Sequence, residues 1–288
     1  MEILRSDFNK HLTNNVILRV DYVPLPDEKV DIINNKIAKI LLVDNDNFSD
    51  TTQTFIRNID VQMNDPSIQD FNEFINVKEK SKVKSYEYYK YDENKNIEMK
   101  FVFNRQFCVI DINQIFKYYK YEYYRDIFLK VLDILRSNKI IINRFGLRKF
   151  NDFFLKKEAK INDYVKEKYF NLDCDDLLEN SDSFISEKRY TFANQDANIN
   201  LVTHSSIGMM DNELVKRVAF DIDIYLTDIK KLKSLFSKDN KNFIDKINSL
   251  FFDVYLNLLT KKMINILNRE NDLNDENIIC GVDYNEND

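Results

Sequence analysis

Between residues 15 and 23, Val16, Leu18, Val20 and Tyr22 alternate with Ile17, Arg19 and Asp21. A period of two sends the two sets to opposite faces of a strand, so the segment reads as a strand with one inward and one outward face. Segments 96–104 and 106–113 read as strands too, with residues 92–96 as a natural hairpin turn ahead of them. They recur at 139–150, 184–194, 197–206 and 213–226. Further strands are expected over 53–63 and 84–91, and a more buried one over 38–45.

Helical spacing is confined to fewer places. Over 115–137, Tyr124, Phe128, Val131, Leu132 and Leu135 recur at three- and four-residue intervals. A helix with a charged outer side is expected over 152–170, and a long closing helix over 240–268 with Ile247, Leu250, Phe251, Val254, Leu258 and Leu259 on its apolar face. Residues 171–183 read as an exposed acidic loop. Strand runs followed by a helix, twice over, argue for an α+β fold: antiparallel sheet with long helices packed on one face. The expected organisation is two similar halves sharing a core, 1–150 and 151–270, followed by an acidic flexible tail over 271–288.

With three glycines and three prolines in 288 residues, most turns must rely on Asn and Asp. The same scarcity excludes glycine-rich phosphate loops, which need glycine for close backbone approach. No apolar run nears the roughly 18 residues of a membrane span, and the charged start, MEILRSDFNK, is unlike a secretory signal. Cys108, Cys174 and Cys280 lie far apart without a CxxC pair, and His11 and His204 are the only histidines. These features fit a reducing cytoplasm and argue against a disulfide framework or a zinc site. No cofactor and no metal are expected. A net charge of −6 gives no global attraction to nucleic acid or to an anionic membrane.

Four constellations carry chemistry worth weighing. Glu98 and Lys100 have the outline of a nuclease metal site, or of an ordinary solvated pair on one strand face. Asp221 and Asp223 project together from a strand, with Phe220, Ile222 and Ile224 on the other face. Two metal ions held for nucleotidyl transfer are one reading, structural pairing the favoured one. Arg144 and Arg148 flank Gly146 with Phe145 and Leu147 facing the core. The missing side chain opens a slot between two guanidinium groups, suited to a carboxylate or phosphate. The competing and favoured reading pairs these arginines with Asp221, Asp223 or Asp111 on neighbouring strands. Finally, nine tyrosines lie between 86 and 124, interleaved with Lys and Arg. Tyr118, Tyr119, Lys120, Tyr121 and Arg125 form the candidate RNA-binding segment, against an amphipathic reading in which the rings pack inward. His204, beside Ser205 and Ser206, reads as a hydrogen-bonded strand residue.

The stretch FGLRKFN (145–151) resembles the "GLRY-N" signature of a sporadically distributed family of prokaryotic proteins. The order of features is similar as well: an N-terminal strand, a strand–turn–strand, a Tyr-rich helix, the GLR strand, and a late helix carrying Thr260. Two features depart from that pattern. Lys149 stands where the family has an aromatic residue, and the chain has no tryptophan. The resemblance implies no catalytic residues, and its patchy distribution implies mobile islands that carry defence systems and toxin–antidote pairs. The expected function is a cytoplasmic, non-catalytic interaction or sensor protein with a partner encoded nearby. The alternative is a single-stranded RNA-binding or processing protein.

Overall fold

The computed structural model describes residues 8, 10–43, 48–63, 75–170, 184–193, 197–233, 240–268, 275–281 and 283–284. The chain begins with β1 (Lys10–His11), β2 (Thr13–Tyr22) and α1 (Asp27–Ala38). Four strands follow, β3 (Asp50–Met63), β4 (Ile75–Tyr91), β5 (Ile97–Asn104) and β6 (Phe107–Asn113), then α2 (Tyr121–Ser137). The second run holds β7 (Ile142–Lys156), β8 (Phe184–Ala193), β9 (Asn198–Met210) and β10 (Glu213–Leu226). It closes with α3 (Ile229–Leu232), α4 (Asn240–Leu258), α5 (Lys261–Leu267), β11 (Ile278–Cys280) and β12 (Asp283–Tyr284).

Strands β2 to β10 form one continuous antiparallel sheet in the order β3-β4-β5-β6-β2-β7-β10-β9-β8, with β11 added beside β7. The first long strand of each run, β2 and β7, lie side by side at the centre. Each is flanked on its far side by the last strand of its own run, β6 or β10. Residue 150, the expected division between halves, therefore falls inside β7. The two-residue alternation decides which side chains face the helices. Val16, Leu18 and Val20 of β2, Phe145 and Leu147 of β7, and Phe220, Ile222 and Ile224 of β10 are all buried. They pack with Phe128, Val131 and Leu132 of α2 and Ile244, Ile247 and Phe251 of α4 in one core. Each large apolar side chain so buried contributes about 1.5–3 kcal/mol. Phe145 sits at the junction, its ring 6.4 Å from Phe128 and 5.7 Å from Phe243. No helix among the described residues is long and apolar enough to cross a membrane.

Several expectations are corrected. The strand expected over 38–45 is helical over its described part: α1 runs to Ala38 and continues as a π-helical turn over Lys39–Val43, and residues 44 and 45 lie outside the described residues. Ile33, Ile37 and Leu41 are fully buried at four-residue spacing, a helical stripe hidden inside a continuous apolar run. The expected helix over 152–170 is also absent. Strand β7 extends to Lys156 because Phe153 and Leu155 keep burying in alternation and β10 and β11 supply backbone partners. Beyond it lie only short 3-10 turns at Ile161–Asp163 and Glu167–Tyr169. Tertiary pairing overrides the local charge pattern there. The helix expected from 115 begins at Tyr121, after a turn in which the Gln114 amide bonds both N–H and C=O of Tyr119. The closing helix breaks at Leu259, and the Thr260 hydroxyl caps α5 by accepting from the Met263 N–H.

The hairpin at 92–96 stands, with Asp92 Oδ1 accepting the Asn96 N–H at 2.7 Å. Within the expected tail, β11 pairs with β7 and β12 with β1. Gly281 follows β11 with a φ of 87° and passes so close to β7 that a Cβ would stand 2.6 Å from Phe153 Cα. Here only glycine fits. The expected acidic loop, 171–183, lies outside the described residues.

Candidate binding face

With the helices gathered on one side, the other face of the central sheet carries the outward residues of the alternation. Arg144, Gly146 and Arg148 stand on this face, opposite Asp21, Arg19 and Ile17 of β2. On the other flank, Gly146 is opposite Tyr225 and Arg148 is opposite Asp223. An open depression of about 310 Å³ forms here, bordered by Arg144, Gly146 and Arg148, by Arg19, and by Asp111 and Asp223. The sequence-derived site residues of the two strands thus come together.

The two arginines are held differently. Arg148 reaches diagonally and bonds Asp221 through Nε at 2.9 and 3.0 Å, with Nη2 on Oδ2 as well. Those hydrogen bonds push the Arg148 guanidinium above its ordinary value. Arg144 instead leans across Gly146. Its Nη2 is 3.4 Å from Asp223 Oδ2 and its Nη1 is 3.5 Å from Asp21 Oδ2. Arg19 also claims Asp21, at 2.7 Å. Arg144 is therefore loosely shared between two carboxylates, while Arg148 is clamped to one. Burial pushes the Asp223 carboxyl up, against the pull of Arg144 and Arg148.

Gly146 explains Arg144. A Cβ there would lie 3.7 Å from Arg144 Nη2 and 3.7 Å from Asp223 Oδ1, in ordinary contact, but any longer side chain would enter the path between them. The slot is real, and Arg144 already lies across it.

The same pattern extends over the face. Lys100 pairs with Glu87 at 2.8 Å, Arg217 with Asp152 through Nε at 2.8 Å, and Arg189 with Glu187 at 2.6 Å. Many of these cations also lie over a ring: Arg19 over Phe107 at 4.2 Å, Arg148 over Phe150 at 4.4 Å, Arg144 over Tyr225 at 5.3 Å. Burial pushes the Glu87 carboxyl up, but bonds from Lys100 and Tyr89 prevail and hold it at about 2. His204 lies on this face between Glu187 and Ala219, its pKa lowered by burial and by Arg217. Asp111, expected as an arginine partner, accepts instead from Asn15 Nδ2 at 2.6 Å.

Other candidates do not assemble. Glu98 and Lys100 do not share a face. An irregularity in the β4–β5 register turns Glu98 inward, where it accepts from the Tyr119 hydroxyl at 2.6 Å. Asp221 and Asp223 each meet an arginine, and the described residues contain no group of three His, Cys, Asp or Glu placed to hold a metal. In the Tyr-rich segment, the buried Tyr121 hydroxyl bonds Asp245 at 2.9 Å, and the buried Arg125 bonds Asp245 at 3.1 Å. Burial pushes both the Tyr119 and Tyr121 hydroxyls far up. Tyr118 stacks on His11 at 4.6 Å, and Lys120 is exposed at the start of α2. Tyr119 stacks on Tyr123 at 5.1 Å, with Lys90 over both rings.

Arg19, Asp21, Lys100 and Glu87 join the face without having been assigned to it from the sequence. The outward position of Arg19 and Asp21 on β2 was legible, but only strand pairing brings them, Lys100 of β5 and Glu87 of β4 beside the GLR segment: β2 with β7 and β6, β6 with β5, and β5 with β4. Comparison of the chain with known family models and with curated proteins yields no match.

Proposed function

We propose that this chain is a cytoplasmic, non-catalytic interaction protein that docks a protein partner on the sheet face opposite the described helices. The observation that carries the reading is the contrast between Arg148, fixed on Asp221, and Arg144, shared loosely between Asp21 and Asp223. An acidic side chain of the partner takes Arg144 in place of Asp223, while Arg148 holds β7 to β10. Arginines stacked on half-buried aromatic rings are the composition of interface hot spots. In this reading the two strand runs act as counterpart halves, with β2 and β7 as matched central strands, and the division falls ahead of β7 rather than at residue 150. The resemblance of FGLRKFN to the "GLRY-N" family adds the setting: an accessory component of a prokaryotic antiphage defence or toxin–antidote cassette.

The test uses the products of neighbouring genes as candidate partners. Arg144→Met is expected to weaken co-purification at least tenfold with little change in melting temperature, whereas Arg148→Met lowers the melting temperature. Unchanged partner binding by Arg144→Met refutes the assignment. Filter binding to short single-stranded RNA across a salt series tests the RNA-binding alternative, since phosphate contacts give salt-dependent affinity.

A further inference from the structure

At one end of the sheet lies β8, paired with β9 along its whole length. The ladder runs without a register shift from Phe184 opposite Ile207 to Ala193 opposite Asn198. Among the described residues, β8 makes no backbone hydrogen bond other than those to β9. Every second residue of such an edge strand turns its N–H and C=O outward, where they template the pairing of another strand. Edges are commonly guarded by a proline, a bulge or a projecting lysine. Residues 184–193 contain no proline, and their pairing has no bulge. Their lysine, Lys188, is drawn to the buried side of the strand, where its ammonium donates to the Phe170 carbonyl at 2.8 Å. Tyr190 is held on the same side, its hydroxyl donating to the Lys168 carbonyl at 3.0 Å.

The outward side chains select the strand that fits. On the face opposite the described helices, β8 carries Ile185, Glu187, Arg189 and Thr191 in alternation, all exposed. Arg189 meets Glu187 two residues away at 2.6 Å. Two copies of β8 laid antiparallel about a two-fold axis must keep this face continuous, so odd-numbered residues stand opposite odd-numbered ones. If Glu187 opposes its own counterpart, two carboxylates meet. If Arg189 opposes its own counterpart, two guanidinium groups meet. The register between these places Glu187 of each copy opposite Arg189 of the other, with Ile185 opposite Thr191 and Lys188 on the axis. Opposite charges directly across a strand pair favour pairing, and like charges oppose it. Read antiparallel, the sequence of β8 is therefore its own complement. The other end of the sheet is β3. Pairing β8 with β3 of a second copy would leave open edges and grow filaments instead of stopping at two.

We propose that two copies of the chain pair through β8, with Glu187 of each copy opposite Arg189 of the other, and extend the sheet across a two-fold axis. This edge is separate from the Arg144 slot, and neither proposal depends on the other.

Sedimentation equilibrium of the full chain over a range of micromolar concentrations is expected to show a monomer–dimer equilibrium. Glu187→Arg and Arg189→Glu each set like charges across the axis and should weaken dimerisation at least tenfold. The two side chains are 41% and 74% exposed, so neither change should disturb folding, which circular dichroism checks. Mixing the two single variants should restore a dimer, because every arginine then meets a glutamate. The double variant Glu187→Arg/Arg189→Glu should dimerise as the parent does. A chain that stays monomeric, growth beyond dimers, unchanged association in both single variants, or failure of the mixture and the double variant to restore the dimer overturns the proposal.

Discussion

Replacing Gly146 by alanine separates what this residue does for folding from what it does for the face. Its backbone lies outside the left-handed region, so alanine introduces no backbone strain. The new Cβ would sit 3.7–3.8 Å from Arg144 Nη2, Asp223 Oδ1 and Tyr225 Cβ, at ordinary contact distance. What remains is the reduced freedom of the unfolded chain, which favours alanine over glycine in a strand by about 0.5–1 kcal/mol. The expected result is a stability equal to the parent or higher by up to ~1 kcal/mol. For a chain of this size that corresponds to a rise of about 2 °C or less in melting temperature. Urea unfolding and calorimetry read both quantities. A loss of about 1 kcal/mol or more refutes the reasoning, because it would mean that the fold itself requires the glycine.

Leucine at the same position gives the complementary result. Its γ and δ carbons enter the line between Arg144 and Asp223, which must separate. The pair contributes about 0.2–1 kcal/mol in this cross-strand setting. The signature is non-additivity: Arg144→Met should cost measurably less in the Gly146→Leu background than in the parent.

A double-mutant cycle on Arg148→Met and Asp221→Asn should return a coupling of about 0.5–1 kcal/mol, since the bonding is multiple but the arginine is 44% exposed. The corresponding Arg144–Asp223 coupling should be smaller, and equal couplings would contradict the distinction between the two arginines. Acid should destabilise the protein below about pH 4.5. Hydrogen bonds hold the Glu87 and Asp275 carboxyls at about 2, so their contribution is full above their unfolded pKa values near 4 and is lost as pH falls toward 2. With Lys100 and Lys262 more than a third exposed, screening limits each contribution to about 1 kcal/mol. Urea unfolding of Lys100→Met should show a reduced fall between pH 4.5 and 2.5, and an unaltered fall would remove Glu87 from the account.

The alternation on β2, β6, β9 and β10 was legible because each strand buries one face against helices, which imprints a period of two. Residues 38–45 were not, because an unbroken apolar run satisfies both periods, and only Ile33, Ile37 and Leu41 packing together resolves it. The end of β7 was hidden for a different reason. Its strand state depends on β10 and β11, which lie more than fifty residues away in sequence, whereas its local charges read as a helix. At the candidate site, outward placement of Arg144, Arg148, Asp221 and Asp223 followed from alternation alone. Which arginine meets which aspartate did not, since register is a property of strand pairs. The diagonal choice of Asp221 over the directly opposite Asp223 frees Asp223 to meet Arg144 across the glycine.

That diagonal arrangement bears on which class of partner the face can accept. Binding of a polyanion is driven by release of mobile counterions from the nucleic acid, through cations that are free to contact phosphate. On this face the counterions of Arg19, Lys100, Arg144, Arg148, Arg189 and Arg217 are carboxylates tethered to the same strand or to a neighbouring one. They do not diffuse away, and a phosphate chain laid across them meets repulsion from every displaced aspartate and glutamate. A single acidic side chain from a protein meets a smaller obstacle. In the proposed docking it exchanges with one carboxylate at the loosest pair, and the displaced Asp223, whose carboxyl burial already pushes up, accepts a proton more readily than an ordinary aspartate. On that proposal the discrimination follows from the number of exchanges each partner requires: one at Arg144 for an acidic side chain, many at once for a phosphate chain.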